Sequence, residues 1–93
     1  MIYPYEERKR VYEKALQKFG AEMQSTVAIE EMSEVIKEII KMLRGQLDRE
    51  HMAEEIADAI IVLEQMRMML NITDSVSSWM DYKIAALKRM VEK

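Results

Sequence analysis

Two pairs of carboxylates carry the chemistry open to this sequence: Glu31-x-x-Glu34 and Glu55-x-x-Asp58. Residues three apart on a helix point the same way, so each pair presents two carboxylates to one point. With each residue placed at about 100° per step, Ser33, Lys37, Lys41, Arg44 and Glu30 share a polar face of the helix around Glu31. Met32, Val35, Ile36, Ile39 and Leu43 form its apolar face. Glu31 and Glu38 do not join the polar group. They fall in a stripe with Val27, Val35 and Met42, and Glu34 lies between that stripe and the polar face. Around Glu55 the pattern repeats. Met52, Ile56, Ala59, Ile60, Leu63, Met66 and Leu70 define an apolar face, and Glu55 falls within about 40° of Ala59 and Met66. Val62 flanks Glu55 on that edge, and Asp58 sits one step toward solvent.

A carboxylate on a buried face is costly unless something pairs with it. Antiparallel packing of the two helices would bring both pairs together, and four carboxylates within a few ångströms repel strongly. A hard divalent cation is the natural partner, with all-oxygen ligation favouring Mg²⁺, or Mn²⁺ as a substitute, over zinc or copper. Mg²⁺ keeps several waters and takes phosphate oxygens, so the pattern suits a metal-bound phosphate ester or anhydride. Solvated helix faces also carry E-x-x-E spacing, and 17 of the 93 residues are acidic. What departs from that bland reading is the pairing, with Glu31 and Glu55 both on the apolar side.

The elements that must position these acids are helices. Pro4 suits the first turn of a helix running to about Phe19, where Gly20 stops or kinks it. A second runs from Ala21 or Ser25 to about Arg44, with Gly45 closing it. Asp48 caps a third, about Arg49 to Leu70, and Asn71 closes it in the left-handed conformation. Thr73 or Asp74 caps a fourth, from about Asp74 to Val91. Connections this short favour an antiparallel four-helix bundle, all-α, in one domain spanning residues 1–93. The ten methionines read as flexible core filler.

Composition excludes much else. Without cysteine there is no disulfide and no thiolate nucleophile, and the single histidine, His51, rules out His-rich zinc sites. A ferritin-like di-iron centre needs two Glu-x-x-His motifs, which one histidine cannot supply. Two glycines leave no room for a phosphate-binding loop. The net charge of −3 gives nucleic acid no electrostatic footing. The longest apolar run, Ala59 to Leu63, is too short to span a membrane, and residues 1–10 lack a signal-peptide core. The expected location is the cytoplasm.

The order Glu30-Glu31-Met-Ser-Glu34, then about twenty residues, then Glu54-Glu55-Ile-Ala-Asp58 resembles the EExxE…ExxD signature of MazG-like nucleoside triphosphate pyrophosphohydrolases. These belong to the all-α NTP pyrophosphatases, with dimeric dUTPases as relatives. Residues 18–24, 28–34 and 53–65 resemble the small single-domain members from phage and Gram-positive genomes. The resemblance implies Mg²⁺-dependent hydrolysis of an NTP or dNTP to the nucleoside monophosphate and pyrophosphate, as in nucleotide-pool housecleaning. It implies Glu31, Glu34, Glu55 and Asp58 as metal ligands, with Glu31 or Glu34 as general base and Glu38 in reserve for positioning water. Metal ions would bridge the phosphates, stabilise developing charge and acidify a water.

Lys41 and Arg44 lie beyond the acids, where they could neutralise phosphates or simply complement a helix C-terminus. Lys83 matches a recurrent basic position of the family best, although its helix lacks the Asn of larger relatives, and Val62 stands where many carry an aromatic residue. Gln24, Phe19 and Trp79 are candidates to meet a base. His51, one turn before Glu55, is a candidate supporting residue. Ile61, Met68 and Ala57 lie opposite the main apolar stripe of the third helix, while Ile29 and Ile40 widen that of the second. A helix apolar on two sides needs two sets of neighbours, which predicts a homodimer or homotetramer, as the resemblance also implies. Two other readings stay open: a non-catalytic helical interaction module, and a nucleotide-binding regulator that retains the metal site.

Overall fold

A computed structural model describes residues 1–93 as four α-helices with no strand. They are α1 (Tyr5–Phe19), α2 (Ala21–Leu43), α3 (Arg49–Met69) and α4 (Thr73–Val91). Most helix ends follow local chemistry. Gly20 breaks α1 from α2 at a φ of 86°, in the region that favours glycine. Gly45, at a φ of 77°, follows Arg44 at the end of α2. The Asp48 carboxylate accepts the His51 backbone N–H at 3.1 Å and so caps α3. Asn71 turns the chain at a φ of 56°.

Two expected ends differ. Pro4 is the N-cap of α1, not a residue of its first turn, with an extended ψ of 163°. Neither Thr73 nor Asp74 caps α4. Ile72 holds that position without a side-chain bond, and Thr73 is already helical. Its carbonyl instead accepts from Arg67 Nη2 at 3.2 Å, and Ser77 Oγ accepts from the same nitrogen at 3.0 Å. This fork ties the end of α3 to the start of α4.

α2 and α3 form the main antiparallel pair, and α1 packs against both. Arg8 donates Nε to Glu64 Oε1 at 3.0 Å and Nη2 to Oε2 at 2.9 Å, and the Tyr12 hydroxyl donates to Oε1. This bidentate contact fixes α1 on α3. α4 touches α3 alone, so a single chain does not close a four-helix bundle. The Cα radius of gyration is 15.7 Å, against about 12 Å for a compact chain of this length. No helix is long and apolar enough to cross a membrane.

The burial pattern reverses one expectation. The α2–α3 seam takes Ala28, Glu38, Glu55 and Val62, all buried, with Glu31 and Asp58 partly enclosed beside them. The apolar stripes expected to be core, Ile36, Ile39 and Leu43 on α2 and Ile56, Ile60, Leu63 and Leu70 on α3, are exposed. Within one chain α2 has only α1 and α3 for neighbours. They occupy the edge that bears the acids, and no helix remains to cover the wider apolar face.

Candidate metal centre and adjoining cleft

Glu31 on α2 meets Glu55 and Asp58 on α3, with one carboxylate oxygen from each within 4.8 Å of the others. The antiparallel register explains the meeting. Glu31 and Glu38, two turns apart on α2, face Asp58 and His51, two turns apart on α3 in the opposite order. Glu55 lies between His51 and Asp58, one turn from each.

Two features mark this cluster as strained for lack of positive charge. The Glu31 carboxyl titrates above the usual carboxylate range, first because burial disfavours its charge, then because Asp58 and Glu55 are close. Glu55 is only 8% exposed, and its Oε2 is enclosed without any hydrogen-bond partner. An enclosed carboxylate oxygen without a donor is rare and needs an explanation. The donor set is all oxygen and holds no sulfur or nitrogen, which fits a hard divalent cation.

Glu34, the fourth expected ligand, is not brought to this point. Its carboxylate pairs with Lys37 Nζ at 3.1 Å, and the side chain is 42% exposed. Its position between the apolar stripe and the polar face lets it turn to the lysine one turn along. Glu38 is the buried acid instead, at 5% exposure, between Lys41 Nζ at 3.3 Å and His51 Nε2 at 3.2 Å. Lys41 is therefore engaged with Glu38, at the same seam as the cluster. Arg44 is the exposed C-cap of α2. Lys83 lies on α4 with its ammonium 5.9 Å from the Trp79 ring, and α4 does not reach α2 or α1.

A cleft of about 400 Å³ opens beside Glu31 and Asp58, between α1, α2 and α3. Phe19, Met23, Val27 and Ile61 make it largely apolar, and Gln24 and Gln65 supply two amides. Gln24 and Phe19 therefore line this cleft, while Trp79 is elsewhere on α4. Ile61, expected at an interface between chains, also lines this cleft and is 44% exposed. Gln65 was not singled out by sequence. Its signal is its place seven residues after Asp58, on the same side of α3.

No family model matches the chain, and neither a curated protein nor a solved structure does so.

Proposed function

We propose that the protein is a Mg²⁺-dependent nucleotide pyrophosphohydrolase that cleaves an NTP or dNTP to the monophosphate and pyrophosphate. The observation that carries this reading is the three-carboxylate cluster of Glu31, Glu55 and Asp58, two of which, Glu31 and Asp58, also line a largely apolar cleft. The cluster would hold the cation, and the cleft would hold the base, with Gln24 and Gln65 able to donate and accept hydrogen bonds at its edge. Held by Glu31, Glu55 and Asp58, a divalent ion would supply charge neutralisation at phosphate oxygens and a more acidic water.

The chain's own groups supply the rest. Glu34 is one turn from Glu31, and its exposed pair with Lys37 is cheap to exchange, which suits a general base or an additional ligand. Lys41 and Arg44 extend the same helix beyond the acids and can meet phosphate charge. The α–β anhydride bond breaks, water provides the new oxygen, and pyrophosphate leaves.

A homo-oligomer is part of the same proposal. The chain exposes 7649 Å², against about 5,600 Å² expected of a compact monomer of 11.0 kDa. The excess of roughly 2,000 Å² per chain is on the scale of an obligate interface. A second copy is the partner whose apolar stripes match these, and closed twofold pairs are the commonest assembly. Lys83 would join the site only if α4 is carried to it by such a neighbour.

Pyrophosphate release from the common NTPs and dNTPs, with and without Mg²⁺, tests the activity. Metal-dependent release that disappears in Glu55→Gln is the expected result. Nucleotide binding without release would make the protein a regulator that retains the site. Neither binding nor release would leave a helical interaction module.

A further inference from the structure

His51 occupies an unusual place, between two buried carboxylates that come from different helices. Its Nε2 is 3.2 Å from Glu38 Oε1 on α2 and 3.7 Å from Glu55 Oε1, one turn along α3. The other oxygen of Glu38 faces Lys41 Nζ at 3.3 Å. The other oxygen of Glu55 has no protein partner at all. The backbone beneath His51 is held as well, since its N–H donates to the capping carboxylate of Asp48. The helix cap therefore fixes the His51 backbone, and the imidazole lies against Glu38, with Glu55 Oε1 further off at 3.7 Å.

We propose that Glu38 and His51 are positioning residues: Glu38 fixes the imidazole, and the imidazole, packed 3.7 Å from Glu55 Oε1, restricts that carboxylate so that Oε2 stays free for a cation shared with Glu31 and Asp58. This inference rests on the metal reading of the three-carboxylate site. A glutamate has three torsions and loses much rotamer freedom when ordered. Contacts of this kind behind a ligand orient it, and their loss usually weakens metal affinity 10–100-fold. A purely structural Glu38 would behave differently. Removing one partner of a buried pair is destabilising, so a purely structural role would show in folding stability and leave metal affinity in the folded protein unchanged.

The test is Mn²⁺ binding by titration calorimetry at one fixed pH, on the full chain, with helix content followed by circular dichroism. The expected result for His51→Ala and for Glu38→Gln is an Mn²⁺ Kd weakened about 10–100-fold in a protein that is still helical. The double variant should be no weaker than the worse single one, because the two residues act as one unit. His51→Gln, which keeps an N–H donor near Nε2, should recover part of the affinity. If His51→Ala does not fold, His51→Gln and Glu38→Gln carry the same comparison. Unchanged Mn²⁺ affinity in folded His51→Ala, or fully additive losses in the double variant, would overturn the clamp while leaving the metal site standing. A wild-type chain that binds Mn²⁺ no better than Glu55→Gln would overturn the metal reading, and the clamp with it.

Discussion

Glu31 and Asp58 bring carboxylate oxygens within 4.8 Å of each other across the α2–α3 seam, while Lys37 and Lys41 of the same helix α2 pair with Glu34 and Glu38 instead. The folded apo protein therefore carries a repulsion that the unfolded chain lacks. Burial and the neighbouring acids raise the Glu31 pKa above its ordinary 4.5, so the folded state binds the proton more tightly than the unfolded one. The corresponding stability is fully present below 4.5 and is lost as pH rises through the raised value. At neutral pH without divalent metal, Glu31→Gln should raise the midpoint of thermal unfolding. Mg²⁺ at 100 times its Kd should stabilise the wild type by about 2.7 kcal/mol and leave Glu31→Gln nearly unaffected. Calorimetric melts with Mg²⁺ and with a chelator measure both.

The site geometry ranks the acids. Glu55→Gln and Asp58→Asn should each lower pyrophosphate release by more than about 100-fold, beyond the usual effect of an outer partner. Glu34→Gln tests the role proposed for it: a loss of about 100-fold or more is expected of a general base or ligand, and a small one would leave Glu34 in its exposed pair with Lys37. Equal losses in all three would put Glu34 among the ligands. Gln24→Ala and Gln65→Ala remove one neutral hydrogen-bonding group each and should raise KM about 2–10-fold, leaving kcat nearly unchanged. Steady-state kinetics on one good substrate separates these outcomes.

Helix ends were the most legible part of the fold because caps are local. Gly20, Gly45, Asp48 and Asn71 each act within one turn of chain, and each ends or starts a helix in the structure. Thr73 is not the cap because the helix already begins at it, which puts Ile72 in the N-cap position. The helical wheel also set Glu31, Glu38 and Glu55 apart from the solvated acids. What a wheel does not contain is the direction of the neighbour. Ile36 and Leu43 look like core on α2 whether they meet α3 or another molecule, and in the single chain they meet neither. The contact of Arg8 and Tyr12 with Glu64 joins residues 56 and 52 positions apart, the cleft joins three helices, and no local spacing encodes either.

That distant contact makes its own prediction. Arg8 holds the Glu64 carboxyl below its ordinary 4.5, first through its hydrogen bond. The stability that Glu64 contributes is therefore present above 4.5 and is lost as pH falls through the depressed value. Glu64→Gln should destabilise the chain by about 1–3 kcal/mol at neutral pH, and the difference should shrink in acid. Burial first, then the Glu64 hydrogen bond and charge, push the Tyr12 hydroxyl up from 10.0 to about 12. Stability should fall as pH rises across that interval, because the unfolded chain loses this proton first. Urea melts across the pH range, with Tyr12→Phe as control for the alkaline limb, check both signs.

Self-association should run through the faces that the single chain leaves open. On α4, Met80, Ile84, Leu87 and Val91 recur at helical spacing and are all exposed, and no α4 residue is buried. On α2, Ile29, Ile36, Ile40 and Leu43 form a second such stripe. Apolar area of this extent on a chain of 93 residues exceeds what a stable monomer usually leaves in water. Light scattering at micromolar concentration should therefore give a multiple of 11.0 kDa. Leu87→Glu and Ile36→Glu should shift the mass downward and lower the unfolding midpoint, since each places a charge where a neighbour is expected. An 11.0 kDa wild-type particle with a cooperative melt would remove the need for a second copy. Ile61→Glu is the informative contrast. Ile61 lines the cleft beside Glu31 and Asp58, so that variant should keep the oligomer and lose substrate binding.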